Sequence, residues 1–291
     1  MLWFSLSILA AFFSATEAAY LKRRFGDRSP MGMNGVLSAY SLPFLLAALI
    51  LLDLSPPGND FWATMAVLIP VNALGTILHI TAINISPLSL TMPYLAATPA
   101  FALGIAYVIL GETPSAGGVA GIAVLIVGSY VLNLGTAPDG GRFSLGPFRA
   151  MFRERGSRLM LGAAMIYGLT AVLGKKIVLQ SDPLAAAIFF GLALHVTVLT
   201  LALTVGRIRC RDLFVRPGPG LMVGALQLAH LLCHFTAVSL VTTAYMVAVK
   251  RLNGLFGVIY GGLIFREGRM PVRLAGAGLM ALGAAVIALF G

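Results

Sequence analysis

Apolar residues run through this chain in long blocks separated by short polar stretches. A hydrocarbon core about 30 Å thick takes roughly 20 helical residues to cross. Ten blocks of that length predict helices at about 2–21, 33–52, 61–83, 88–110, 116–134, 158–178, 184–205, 219–240, 243–265 and 272–290. In lipid the backbone must satisfy its own hydrogen bonds, which selects helices. No block alternates with the period of two that a membrane barrel needs. The first block starts at Met1 with no basic residue before it and is followed by Lys22, Arg23 and Arg24. That is the reverse of a secretory signal and predicts a retained helix. The expected fold is an all-α membrane protein with ten transmembrane helices.

Composition excludes the alternatives. The chain is 59% apolar and 10% charged, with a mean hydropathy of +0.94. Soluble domains are about 45–50% apolar and about 25% charged. A water-soluble fold and a disordered chain are therefore ruled out. Cys210 and Cys233 form no disulfide or metal pattern. The net charge of +10 would suit nucleic acid, but the charges fall between the apolar blocks. The linkers after blocks one, five, seven and nine hold four, five, four and three basic residues, against only Lys175 and Lys176 at the edge of the opposite linkers. The positive-inside rule then predicts that those four linkers are cytoplasmic and both termini extracytoplasmic, in an inner membrane. The basic residues would meet anionic headgroups, and no nucleic-acid partner is expected. The longest linker, 136–157, follows Gly135 and opens on Pro138, Asp139, Gly140 and Gly141, which break helix. Phe148, Met151 and Phe152 then alternate with arginines. This stretch reads either as a short amphipathic helix on the inner leaflet or as a plain solvated linker.

The chain also repeats itself. A shift of 155 residues sets 79–128 on 234–283 without a gap. It matches His79 with His234, Thr81 with Thr236, Ala82 with Ala237, Phe101 with Phe256, Ile109 with Ile264, Glu112 with Glu267, Ala120 with Ala275, Gly121 with Gly276 and Gly128 with Gly283. A shift of 153 sets the first block on the sixth and Lys22 on Lys175. The expected units are residues 1–135 and 158–291, each of five helices, joined by the linker 136–157. Five is odd, so the second unit would enter the membrane from the opposite side. Inverted repeats of this kind place a substrate site between the halves and let them exchange access.

The run Ala82-Ile83-Asn84-Ile85-Ser86-Pro87, then Gly111-Glu112, then Gly121 to Gly128, has a counterpart in Ala237-Val238-Ser239-Leu240, Arg266-Glu267 and Gly276 to Gly283. With the repeat, this resembles the EamA-type branch of the drug/metabolite transporter superfamily over essentially the whole chain. The resemblance implies a secondary transporter whose central cavity is lined by helices one, three, four, six, eight and nine. An arginine often found in the second helix of that family is replaced here by the stretch Ser38-Ala39-Tyr40-Ser41. Several members of the family have cytoplasmic termini, opposite to the charge count.

Lys250 and Arg251 lie about eight residues into the ninth block. A charge at the membrane centre costs about 2.5–3.5 kcal/mol, so such residues line a cavity or snorkel to an interface. Both suit a carboxylate or phosphate. The dipeptide is similar to the pair that holds the anion in phosphate translocators, a likeness that also implies Lys175 as a third cation. Gln227, His230 and His234 share one helical face, and His79 is the repeat partner of His234. The expected substrate-binding set is Lys250, Arg251, His230, His234, Gln227, His79, Tyr245, Asn253 and Lys175. Glu17, His79 and His234 are candidates for proton coupling, and Glu17 is similar in placement to a first-helix glutamate of small multidrug resistance proteins. No metal site and no cofactor are expected, and no P-loop, nucleophile elbow or zincin motif occurs. The expected activity is secondary transport of a small polar metabolite carrying an anionic group, driven by alternating access, with a proton or sodium as coupling ion. The runner-up is a proton-coupled exporter of amino acids or cationic amphipathic drugs centred on Glu17. A membrane enzyme or lipid flippase is the rival of another class. The chain is expected to act as a monomer or homodimer.

Overall fold

A computed structural model describes residues 1–54, 57–86, 92–134, 154–264 and 270–291. These residues are helical, with no strand among them. In chain order they form α1 (Leu2–Phe25), α2 (Pro30–Leu51), α3 (Asn59–Ile85), a 3₁₀ turn (Met92–Ala97), α4 (Thr98–Leu110), α5 (Ala116–Leu134), α6 (Arg155–Leu179) and α7 (Pro183–Thr204). A single turn (Cys210–Leu213) precedes α8 (Pro217–Ser239), α9 (Thr243–Lys250), α10 (Asn253–Leu263) and α11 (Met270–Phe290). Among the described residues seven helices are long and apolar enough to cross a bilayer, and Tyr94–Leu110 and Ala116–Leu132 are shorter apolar helices. The chain is a multi-pass helical membrane protein.

Local chemistry sets the helix starts. Ser29 precedes Pro30 and its side chain accepts from Gly32 N at 3.1 Å. Asp182 precedes Pro183, and its Oδ1 accepts from Leu184 N and Ala185 N, both at 2.9 Å. Glu154 starts α6 three residues earlier than the sequence suggested, inside the expected linker 136–157. The surface helix expected around Phe148, Met151 and Phe152 lies outside the described residues.

Two expected spans, 88–110 and 243–265, are not single helices. In the first, the 3₁₀ turn hands over to α4 after Ala97 (φ −74°, ψ −11°). In the second, α9 hands over to α10 after Leu252 (φ −60°, ψ −8°). Ala97 and Leu252 are one 155-residue shift apart, so α4 and α10 start at equivalent residues, Thr98 and Asn253. Around the second break the amides of Arg251, Leu252 and Gly254 reach back three residues, to Ala248 O (3.0 Å), Val249 O (2.9 Å) and Arg251 O (3.0 Å). This 3₁₀ tightening accompanies the break without any proline.

The two halves also meet through α5 on α11 and α2 on α7, which are equivalent helices, and through α1 on α8 and α3 on α6, two contacts that exchange under the repeat. The α5–α11 contact is a glycine seam. A Cβ on Gly121 would stand 2.8 Å from Gly283 O, and one on Gly283 2.7 Å from Gly121 O. A Cβ on Gly128 would stand 2.5 Å from Met280 N and 2.9 Å from Gly276 O. Gly117 faces Phe290 at one end of the seam and Leu132 faces Gly276 at the other, so the two helices run antiparallel. Small residues let lipid-embedded backbones approach this closely.

Two outcomes follow. Gly121→Ala and Gly283→Ala should each lower stability by about 1–3 kcal/mol, because backbone atoms cannot yield to the added methyl. Gly278→Ala on the same helix meets nothing within 4 Å and should leave the thermal midpoint in detergent unchanged or raised. The second concerns Glu154, whose Oε1 accepts from Gly156 N (3.0 Å) and from the Ser86 hydroxyl at the end of α3, and whose Oε2 accepts from Ser157 N (2.5 Å). Desolvation works to raise this carboxyl, but its hydrogen bonds outweigh that and hold it at about 2 rather than 4.5. A folded-state value below the unfolded one means that the cap's contribution is complete above pH 4.5 and is lost as pH falls towards 2. Glu154→Gln should flatten that acid limb of the thermal midpoint against pH.

Candidate functional site

The second helix break carries Lys250 and Arg251. α9 ends at Lys250 and the turn sends the two side chains different ways. Lys250 Nζ lies 3.2 Å from His234 Nδ1 on α8. An ammonium only donates, so His234 Nδ1 accepts and its ring proton sits on Nε2. Arg251 Nη2 donates to Thr98 Oγ1 (2.6 Å), the first residue of α4, and the Thr98 hydroxyl donates in turn to Leu95 O (2.7 Å). One break is thereby tied to the other.

The histidines extend this polar belt. His230 and His234 stack with ring centroids 6.0 Å apart and planes at 9°. His230 Nδ1 donates to Ala10 O on α1 (3.1 Å), where Ala10, Ala11 and Ala15 are buried and let α8 close in. His79 Nδ1 sits 3.2 Å from the Tyr167 hydroxyl on α6. The Arg251 charge reaches both His79 and Tyr167.

Two cavities flank the break. A central cavity of about 350 Å³ is walled by residues including Thr98, Tyr167, Gln227, His230, His234, Lys250, Arg251 and Asn253. A second, of about 510 Å³, is walled by residues including Ser14, Lys22, His79, Leu95, Ala96, Arg251, Asn253 and Tyr260. Ser14, Arg251 and Asn253 border both. Among the described residues neither Lys250 nor Arg251 has a carboxylate in contact. An arrangement of this kind can hold a carboxylate or phosphate: Arg251 offers a planar fork, Lys250 a point charge and the ring N–H groups further donors.

The structure thus brings Lys250, Arg251, His230, His234, Gln227 and Asn253 to one cavity, with His79 on the adjoining one. It does not bring Lys175 or Tyr245 there. Lys175 Nζ contacts Glu112 Oε1 at 2.7 Å and donates to Val241 O at 2.6 Å. The same carboxylate accepts from Thr243 N (2.7 Å) and from the Thr243 hydroxyl (3.1 Å), so Glu112 of the first unit closes the start of α9 in the second. The Tyr245 hydroxyl accepts from Ser115 N (2.7 Å) at the start of α5, beside the end of α11. Glu17 is buried in α1 and walls neither cavity, although the Lys250 charge reaches it. No group of three or more His, Cys, Asp or Glu among the described residues could hold a metal.

Sequence reasoning passed over Thr98, Glu112 as a partner for Lys175, and His195. Thr98 could have been found as the 155-residue equivalent of Asn253. His195 stands alone in an apolar helix, accepts from Gln227 Nε2 (3.1 Å) and directs its Nδ1 at Ser38 Oγ (3.2 Å).

No curated protein matches the chain. A solved chain described only as "Crystal structure of protein" has the same fold, at a TM-score of 0.69 and 15% identity over 99% of this chain and 95% of that one. The model of the EamA-like transporter family matches residues 1–134, which hold α1 to α5. Over these five helices the chain is similar to the EamA-like transporter family of the drug/metabolite transporter superfamily, whose members are membrane transporters rather than enzymes.

Proposed function

We propose that this protein is a secondary transporter of a small metabolite bearing a carboxylate or phosphate, held at Lys250 and Arg251. The observation that carries the reading is a comparison inside the chain. The positions equivalent to Lys250 and Arg251 in the first unit are Leu95 and Ala96, and a 3₁₀ turn precedes the α-helix there all the same. The break therefore does not need the cations. Among the described residues no carboxylate touches either cation, and an anion arriving there would offset the cost of burying them.

The transport cycle we infer is alternating access between two five-helix units of opposite sense. The antiparallel α5–α11 seam and the contacts of equivalent helices support it. Glu112, Lys175, Val241, Thr243, Ser115, Tyr245 and the end of α11 gather at the termini end of the bundle. There the Glu112–Lys175 pair ties the first unit to the second, with both side chains near one-tenth exposed. The larger cavity is walled instead by the C-terminal parts of α1, α5 and α10, towards the end that carries the basic linkers. In this reading the ion pair is the closed gate, and by the charge count the open end is cytoplasmic.

Glu17 favours a second reading, in which a buried carboxyl carries the coupling proton for export of amino acids or cationic amphipathic drugs. Substrate counterflow in liposomes separates the two. Lys250→Gln and Arg251→Gln should each weaken apparent affinity for the anion by more than about tenfold, and Arg251→Lys should not restore it. Glu17→Gln should leave counterflow intact while abolishing uphill, proton-driven uptake. Intact affinity in both cation variants overturns the anion reading. The gate has its own check. With Cys210 and Cys233 replaced by Ser, Thr170→Cys in the central cavity should react with a membrane-impermeant thiol reagent faster from the termini side once Glu112→Gln is added, since the closed state then loses the ion pair that ties the two halves together.

A further inference from the structure

A third cavity, of about 200 Å³, lies between α2, α3, α7 and α8. It shares Asn72, Leu194 and Gln227 as walls with the central cavity, so the two adjoin at those side chains. Its remaining lining is mostly carbon, including Leu37, Ala73, Ile77, Val198 and Leu201. Most of the polar side chains around it are already engaged. Gln227 Nε2 donates to His195, His195 faces Ser38 Oγ, and the Thr76 and Thr197 hydroxyls donate to carbonyls of their own helices. What the space offers an occupant is therefore apolar contact. A dry cavity of about 150 Å³ holds benzene, so this one has room for a short alkyl chain or a ring. One wall, Ile77, is 52% exposed, so on that side a single residue layer lies between the compartment and the surface of the bundle.

We propose that the two cavities form one two-part site for an amphipathic anion: the anionic head at Lys250 and Arg251, the apolar part beyond Gln227 in the α2–α3–α7–α8 compartment. This rests on the anion reading above and narrows its substrate class. His195 acts as a positioning residue, because its hydrogen bond fixes the Gln227 amide at the boundary between head and tail. The same chemistry fits a soluble amphiphile or an anionic lipid that enters past Ile77.

The test uses the full-length protein in phosphatidylcholine nanodiscs. Its probes are methyl and hexyl phosphate, with acetate and hexanoate as the carboxylate pair. Each methylene taken out of water tightens binding about fourfold. The hexyl-to-methyl affinity ratio should therefore exceed about tenfold in the natural sequence. Ala73→Phe and Val198→Phe, which fill the compartment from α3 and from α7, should each bring that ratio close to one while leaving methyl phosphate affinity unchanged, which also shows that the variants fold. Arg251→Gln should weaken short and long probes alike. Competition by phosphatidic acid in the nanodisc would assign the compartment to a lipid, and no competition would assign it to a soluble amphiphile; either result supports the two-part site. A ratio near one in the natural sequence, or one that survives both filling substitutions, overturns it. Failure of methyl phosphate and acetate to bind at all would instead bring down the anion reading.

Discussion

Hydrocarbon can neither solvate a charge nor complete a backbone hydrogen bond, and the interior of this protein is organised around the one place where it needs both. At the junction of α9 and α10 the helix is interrupted and two cations follow one another. Neither feature would survive facing lipid. The 3₁₀ turn satisfies its own amides within three residues, Arg251 reaches the first residue of α4, and Lys250 reaches His234. The two interruptions lie within a single guanidinium-to-hydroxyl bond of each other. A central polar region in an otherwise apolar bundle follows from this requirement.

The two large cavities read as versions of one another. Under the same shifts that align the units, His79 in one takes the place of His234 in the other, and Ser14 of α1 the place of Tyr167 of α6. Their chemistry nevertheless differs. The cavity of the second unit has the cation pair and the stacked histidines, whereas the first has Leu95 and Ala96 at the corresponding positions. Arg251 borders both spaces, so the same guanidinium is reachable from either. In the alternating-access reading proposed above, these two cavities would be the two routes to that one charge.

Length and hydropathy made the helices legible, whereas the packing of α5 on α11 was not, because glycine spacing marks a close contact in lipid without naming its partner. Lys250 and Arg251 stood out because a charge inside an apolar block has a known cost. The partners of charged residues were not legible. Nothing local tells Lys175 to pair with Glu112, which lies in the other unit and meets it only after the bundle assembles. Tyr245 shows the same limit from the other side: a tyrosine next to a candidate site reads as a ligand contact, yet its hydroxyl ends up at the start of α5. The split of the ninth span escaped periodicity because no proline or charge run announces a break that the turn itself satisfies.

The placement of Glu112 connects the gate to the site. Its carboxylate binds Lys175 and caps the first amide of α9, the short helix whose last residue is Lys250. α9 is only 8 residues long, so it moves as one rod of about 12 Å. An anion drawing on Lys250 and Arg251 at one end pulls on a helix whose other end is held by the Glu112–Lys175 pair. Occupancy of the cavity and closure of the termini end are then two loads on the same short helix. In the transport cycle proposed above, a displacement at either end would reach the other through this one short helix.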